Sequence, residues 1–414
     1  MIKATYKKYI LNFKNPSGTS RGILKTKETW FIILEENNKK GIGETGLFRG
    51  LSIDDVVNYE EKLIWACKNI NQGLEKLLPQ VADLPSIQFG LEQAFLSLKS
   101  SNGFNLFPSE FTKGKQTIVI NGLVWMGEKE FMKTQIKEKL KTGFTCIKMK
   151  IGAIDFDTEI ALLKSIRKEF SAKEIELRVD ANGAFTPENT LAKLQELSKL
   201  HIHSIEQPIK QGNIEEMANL CAKTPLPIAL DEELIGVFSS EEKRKLLETI
   251  QPQFIILKPS LIGGFTASKE WITLAEKNNI GWWLTSALES NVGLNAIAQF
   301  TFMLQSKIFE KIIDKHKNQA EALHQVSALL FLNKSNVYRR LKGEIMLKPS
   351  EIEVLVKHYT LSLDEIVHKG KKQFLFTHSV AKGFTYSTAR DNSHKENYIS
   401  FYENIKMFLH FASV

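Results

Sequence analysis

Three cysteines, Cys67, Cys146 and Cys221, are all that 414 residues hold, and they stand too far apart for any metal-ligand spacing. They read as reduced thiols of a cytoplasmic protein. No apolar run approaches the ~20 residues of a membrane-spanning helix, which excludes a membrane partner of that kind. The first residues, "MIKATYKKYILNF", lack the apolar middle and small-residue cleavage site of a signal peptide and alternate instead like a strand. No repeat of sequence identity is visible.

What is present is a globular composition, 43% hydrophobic and 25% charged, in a chain long enough for two or three domains. The net charge of +8 is unevenly spread: residues 305–414 carry 17 Lys+Arg against 11 Asp+Glu, a surplus of six that leaves only two for the remainder. The basic C-terminal quarter therefore points to a partner of its own.

Residues 1–112 read as an α+β domain: strands "TYKKYILNF" and "TWFIILEE" joined by a polar loop, "KNPSGTSRG", then two helices. Ser52 is the expected N-cap of "SIDDVVNYEEKLIWACKNI", and Pro85 and Ser86 open "PSIQFGLEQAFLSLKS". Over residues 113–304 short apolar runs alternate with amphipathic helices: "TIVINGLV", "TCIKMKIG", "EIELRVDANGAF", "IHSIEQPI", "LPIALDEEL", "FIILKPSLIGG" and "GWWLTSALES". Strand–helix repetition of this kind predicts an α/β fold with a parallel sheet or barrel.

A charged residue recurs near the end of successive strands: Lys150, Asp180, Glu206, Asp231 and Lys258, at gaps of 30, 26, 25 and 27 residues, about one βα unit each. In a (β/α) barrel such positions converge at one mouth. Three carboxylates facing one another repel and call for a cation, and an all-oxygen set favours Mg²⁺ or Mn²⁺ over zinc. Alternation puts Lys148 and Lys150 on one strand face, where an anionic substrate and the carboxylates would want positive charge. Lys148, with the metal, would favour the neutral amine of Lys150, the form able to take a proton beside a carboxylate.

"KMK", "VDANGAF", "EQP", "ALDE" and "LKPSLIGG", in this order and spacing, resemble the enolase superfamily over roughly residues 1–304. That superfamily uses a Lys or His base with Mg²⁺ stabilising an ene-diolate. "SGTSRG", "GIGE" and "TSALESNVGLNAIAQ" are most similar to its dehydrating branch, which forms o-succinylbenzoate from a cyclohexadiene carboxylate in menaquinone synthesis. The resemblance implies a capped barrel and a role for each matching residue. Asp180, Glu206 and Asp231 become metal ligands, Lys150 the base that also delivers a proton to the departing hydroxyl, and Lys258 the stabilising charge opposite. Lys148 and Asn182 would neighbour the substrate, Ser286 and Glu289 would line its pocket, and Arg21 with its loop would close over it. Racemisation of N-acylamino acids and epimerisation of dipeptides begin with the same proton abstraction, and these motifs do not separate them.

Other residues read more plainly. Glu232 and Glu233 suit an acidic first helical turn. Gly263-Gly264 suits a loop, with amides that could also bind an anion. His201 and His203 lie away from the mouth and read as structural.

After Leu304 an eighth strand is due. The chain reads "QSKIFEKIIDKHKNQAEALHQ" instead, helical in period, so the barrel is expected to lack its last strand. Residues 305–370 read as short helices similar to a bacterial helix-turn-helix regulator, one over 324–331, a turn "LNKS", and a second over 335–341. Ser335 would cap the second helix, with Asn336, Tyr338, Arg339, Arg340 and Lys342 presented to DNA. A DNA-binding regulator with a vestigial barrel is thus the competing reading. Residues 371–414 carry no assignable pattern.

Overall fold

The computed structural model describes residues 1–19, 22–118 and 120–341, together with 347, 351, 354, 355, 358 and 359. The chain opens with an antiparallel meander of β1 (Lys3–Thr19), β2 (Gly22–Glu36) and β3 (Lys39–Gly46). Asn37 and Asn38, both at positive φ, make the two-residue turn between Glu36 and Lys39. One face of β2 carries Trp30, Ile32 and Leu34 into a core closed by α1 (Tyr59–Lys68), α2 (Leu74–Leu77) and α3 (Pro85–Lys99). The glycines of "GIGE" let α3 lie directly on β3, because a Cβ on Gly43 would sit 1.9 Å from the Gly90 carbonyl oxygen.

Two sequence expectations change here. The segment expected as a loop over 14–22 is in part strand: Ser17, Gly18 and Thr19 pair with Leu24, Ile23 and Gly22, so it is the tip of a long hairpin. Ser52 does not cap α1, which starts seven residues later. Its hydroxyl instead accepts from the Phe48 amide (2.9 Å), and the intervening Val56-Val57 pair is β-branched and poorly disposed to helix.

Seven parallel strands follow, each paired with its sequence neighbour: β4 (Gly122–Val124), β5 (Cys146–Lys150), β6 (Glu176–Asp180), β7 (Ser204–Glu206), β8 (Ile228–Leu230), β9 (Phe254–Leu257) and β10 (Gly281–Leu284). The crossovers are α4 (Lys129–Thr142), α5 (Phe156–Glu169), α6 (Pro187–Ser198), α7 (Ile214–Lys223), α8 (Ser240–Ile250) and the pair α9 (Pro259–Ile262) and α10 (Gly264–Lys277). Local signals explain their limits: Asp155 accepts from Thr158 at the start of α5, a Ser239–Glu242 capping box opens α8, and left-handed Gly143 ends α4. The strands read as continuous apolar runs because helices cover the sheet.

β4 and β10 are the two edges of this sheet, and no strand follows β10 among the described residues. In the place where an eighth strand was due, α11 (Asn291–Asp314) runs on unbroken past Leu304, followed by α12 (Gln319–Leu330) and α13 (Lys334–Leu341). Leu304, Ile308 and Ile312 of α11 share one apolar core with Ala322, Val326, Val337 and the barrel. Asn333 rather than Ser335 caps α13, accepting from the Asn336 amide at 2.8 Å. Among the described residues no helix is long and apolar enough to cross a membrane.

Candidate active site and metal centre

The parallel register sets Lys150 beside Asp180 and Asp180 beside Glu206, one residue per strand across β5, β6 and β7. Asp231 and Lys258 stand one residue beyond β8 and β9. Side chains at equal height on neighbouring strands share a face, so all five point to the same mouth, with Lys148 one layer below.

There the charges interlock. Lys148 Nζ lies 2.7 Å from Glu206 Oε2 and 3.1 Å from Asp180 Oδ2. Lys150 Nζ lies 2.8 Å from the same Asp180 oxygen and donates to Asn182 Oδ1 at 2.6 Å. Lys258 pairs with Asp231 Oδ2 and stands 3.7 Å from Glu206 Oε1. Asn182, at φ +44, passes a bond on to Glu232 Oε1 (3.1 Å).

Burial opposes every one of these charges, and the partners decide the outcome. It would lower Lys148 and Lys258, but the carboxylates of Glu206 and Asp180 around the first, and of Asp231 and Glu206 around the second, raise both above the ordinary lysine value. It would raise Asp180, yet Lys150, Lys148 and Lys258 together hold its carboxyl well below the usual range.

Among the described residues no three acidic, His or Cys side chains are arranged as a finished metal cage. The lysine ammoniums occupy one oxygen of each of the three carboxylates, Asp180 Oδ2, Glu206 Oε2 and Asp231 Oδ2. The donor set nonetheless fits a hard divalent ion: Glu206 Oε1 is buried with no hydrogen-bond donor, between strands that end in the carboxylates of Asp180 and Asp231.

Several residues did not announce themselves. Trp125, just past β4, has its ring centroid 5.9 Å from Lys150 Nζ, and only its strand-end position hinted at this. Gln207 of "EQP", fully buried at φ +39, accepts from the Asp231 and Glu233 amides (3.2 and 3.3 Å) and donates to Glu233 Oε2 at 2.9 Å. Glu232 and Glu233 do open a short helical turn, Glu232–Leu234, as expected, and both are also buried members of the network that holds the Asp231 loop.

The remaining candidates part company. Ser286 is half-buried two residues past β10, on the same rim. Glu289 is buried, and its oxygens accept from Ser260 Oγ (2.5 Å) and the Ala287 amide (2.6 Å), which ties the loop after β10 to the chain just past Lys258. Arg21 and Lys342 lie outside the described residues. On α13 Tyr338 and Arg339 are exposed and Asn336 half-buried, but Arg340 is not presented to a DNA backbone. Its Nε and Nη2 each donate to Glu351 at 2.8 Å, on the buried face that Val337 begins three residues earlier. His203 packs on Phe254 and Trp283 at the opposite end of the strands, as a structural residue. The amides that follow Gly263-Gly264, rather than those of the glycines, meet an anion of the same chain: Glu92 of α3 accepts from the amides of Phe265 and Thr266.

Comparison with known proteins identifies the family of the fold. The family described as "Enolase C-terminal domain-like" matches residues 132–333. The chain is 45% identical over 335 residues to an o-succinylbenzoate synthase of Desulfotalea psychrophila, covering 73% of this chain and 91% of that one. The crystal structure of MenC from the same organism superposes with a TM-score of 0.63 at 42% identity, over 72% of this chain and 90% of that one. A dipeptide epimerase from Enterococcus faecalis, solved with Mg and L-Leu-L-Tyr, shares the fold (TM-score 0.62, 21% identity, 72% and 86% covered). The chain belongs to the enolase superfamily. It is an enzyme homologous to o-succinylbenzoate synthase, a lyase, and related at greater distance to epimerases and racemases.

Proposed function

We propose that this chain removes the proton α to a carboxylate and then eliminates water, converting a cyclohexadiene carboxylate into o-succinylbenzoate. The observation that carries this is the environment of Lys150. As a neutral amine it has two N–H groups, which Asp180 and Asn182 are placed to accept, and one lone pair left to face a substrate Cα–H. When the C–H bond breaks, its electron pair moves toward the carboxylate. The C–O bond to the leaving hydroxyl then opens, the ring becomes aromatic, and the ammonium of Lys150 returns the proton so that water departs.

Lys258, kept protonated by Asp231 and Glu206, supplies fixed positive charge from the other side of the mouth, and Lys148 does so from below. Asp180, Glu206 and Asp231 are the proposed ligands of a Mg²⁺ ion, with Mn²⁺ as substitute. Bound there, the ion would lower the energy of charge developing on the substrate carboxylate. Ser286, two residues past β10, is proposed to complete the pocket wall, and Arg21, which lies outside the described residues, is proposed to close over the substrate with its loop.

The test is turnover of the cyclohexadiene carboxylate by the full chain in D₂O. Aromatic product should form only with Mg²⁺ or Mn²⁺ present. Neither product nor Cα deuterium would refute the proposal. A second reading rests on Lys150 and Lys258 coming from strands four apart, which suits protonation from opposite faces. Deuterium incorporated with inversion of an N-acylamino acid or dipeptide, and no dehydration, would select it.

For DNA binding through α13, exposed Tyr338 and Arg339 are the remaining support. Retardation of duplex DNA by the full chain that weakens steeply with salt would uphold it, and its absence at low salt would remove it.

A further inference from the structure

The wall that follows β10 is held from outside the barrel. Lys27 of β2, buried among protein groups, donates from Nζ to the Ala287 carbonyl at 2.6 Å. Glu44 of β3, fully buried, accepts from the Ser290 amide (2.8 Å), the Ser290 hydroxyl (2.6 Å) and the Gly293 amide (2.8 Å), groups of the residue just before α11 and of the third residue within it. Thr29 Oγ1 braces the same carboxylate at 3.0 Å. Between the two clamps sits Leu288 at φ +56, a left-handed conformation that an L side chain rarely adopts without being held. On the inner side the Thr285 amide donates to the Leu257 carbonyl at 3.0 Å, which ties the loop to the residue preceding Lys258.

We propose that Lys27 and Glu44 are positioning residues of the reaction: from the N-terminal sheet they fix the 285–290 loop, and with it the place of Ser286 on the rim past β10. The inference rests on the proposed function only in taking Ser286 as a wall of the substrate pocket. The N-terminal domain on this account does more than cover the mouth; it sets the geometry of one side of it. Neither residue touches the reacting atoms, so their effect travels through the loop.

Hydrogen exchange on the full, unsubstituted chain tests the clamp directly. The Ser290 and Gly293 amides should exchange at least about 100-fold more slowly than an open loop, and about tenfold of that protection should vanish in Glu44→Gln. Exchange at open-loop rates in the unsubstituted chain overturns the proposal and needs no variant to fold. Kinetics test the consequence. Lys27→Met should lower kcat about tenfold at temperatures well below its melting transition, and adding Leu288→Gly should restore about threefold, because glycine holds φ +56 without the clamp. A kcat within about twofold of the parent, or a loss that Leu288→Gly does not relieve, would reduce the clamp to a purely structural contact. Failure of the parent chain to turn over the substrate would strike the proposed function, while the exchange result would still read the clamp.

Discussion

Buried carboxylates gather in two regions, the barrel mouth and the seam between the N-terminal domain and the barrel, and they are partnered differently. At the mouth Asp180, Glu206 and Asp231 face lysine ammoniums, share oxygens, and leave Glu206 Oε1 without a donor. At the seam Glu44 and Glu92 each sit on the amides that open a barrel helix, α11 and α10, and within the N-terminal domain Asp54 does the same for α3 through the Ser86 amide and hydroxyl (2.9 and 2.6 Å). Backbone amides are fixed donors whose charge is built into the helix end, so a carboxylate placed there fastens the fold. Flexible ammoniums can shift to make room for a substrate and a cation. The partner, more than burial, distinguishes chemistry from construction.

Substitutions can break this contrast. The largest effect is expected from Lys150→Ala, which should reduce turnover by about 10³-fold or more while a titration still detects Mg²⁺ binding. Turnover near the parent rate would mean that another group takes the proton. Glu206→Gln comes next: it removes charge from the oxygen with no donor, and metal titration should show at least about a tenfold weaker affinity with little change in melting temperature. At the seam the signs reverse. Glu92→Ala strands the amides of Phe265 and Thr266, so stability measured in denaturant should fall by about 2–4 kcal/mol, while kcat of the folded protein stays within about threefold.

The smallest effect sharpens the comparison through pH. Burial pushes the Asp54 carboxyl up to about 6, against the bonds from Ser86 that lower it. The folded chain therefore keeps a proton that the unfolded chain has already lost, and this group's contribution to stability declines as pH rises from about 4 through 6 and is level above. Asp54→Asn lacks that slope, so its stability relative to the parent should improve by about 2 kcal/mol across the window. A constant difference between the two proteins would show that Asp54 ionises normally.

The seven parallel strands were readable as short apolar runs between helical stretches, and the five phased charges because β5 to β9 each run into an ionisable residue, signals contained within each run. Lys148 and Lys150 pointing one way follows from strand alternation alone. The seam was not readable. Glu44 meets Ser290 and Glu92 meets Phe265 across 246 and 173 residues, and no local spacing encodes such partners. For the same reason Gly263-Gly264 suggested an anion site but not that the anion was Glu92. Arg340 belonged by pattern to an exposed basic run, but Glu351, eleven residues on, draws it inward. Trp125 could be placed at a strand end, but not over Lys150, until the curl of the sheet was known.

Helix α11 has a practical consequence. Its 24 residues span about 36 Å, from the loop that Glu44 clamps to the packing of α12. Shortening the protein at Leu304, where the likeness to a barrel ends by eye, would cut this rod near its middle and bare Phe300 and Leu304 to water. A minimal catalytic fragment made that way should aggregate, and one kept through at least Leu330 has the better prospect of staying folded.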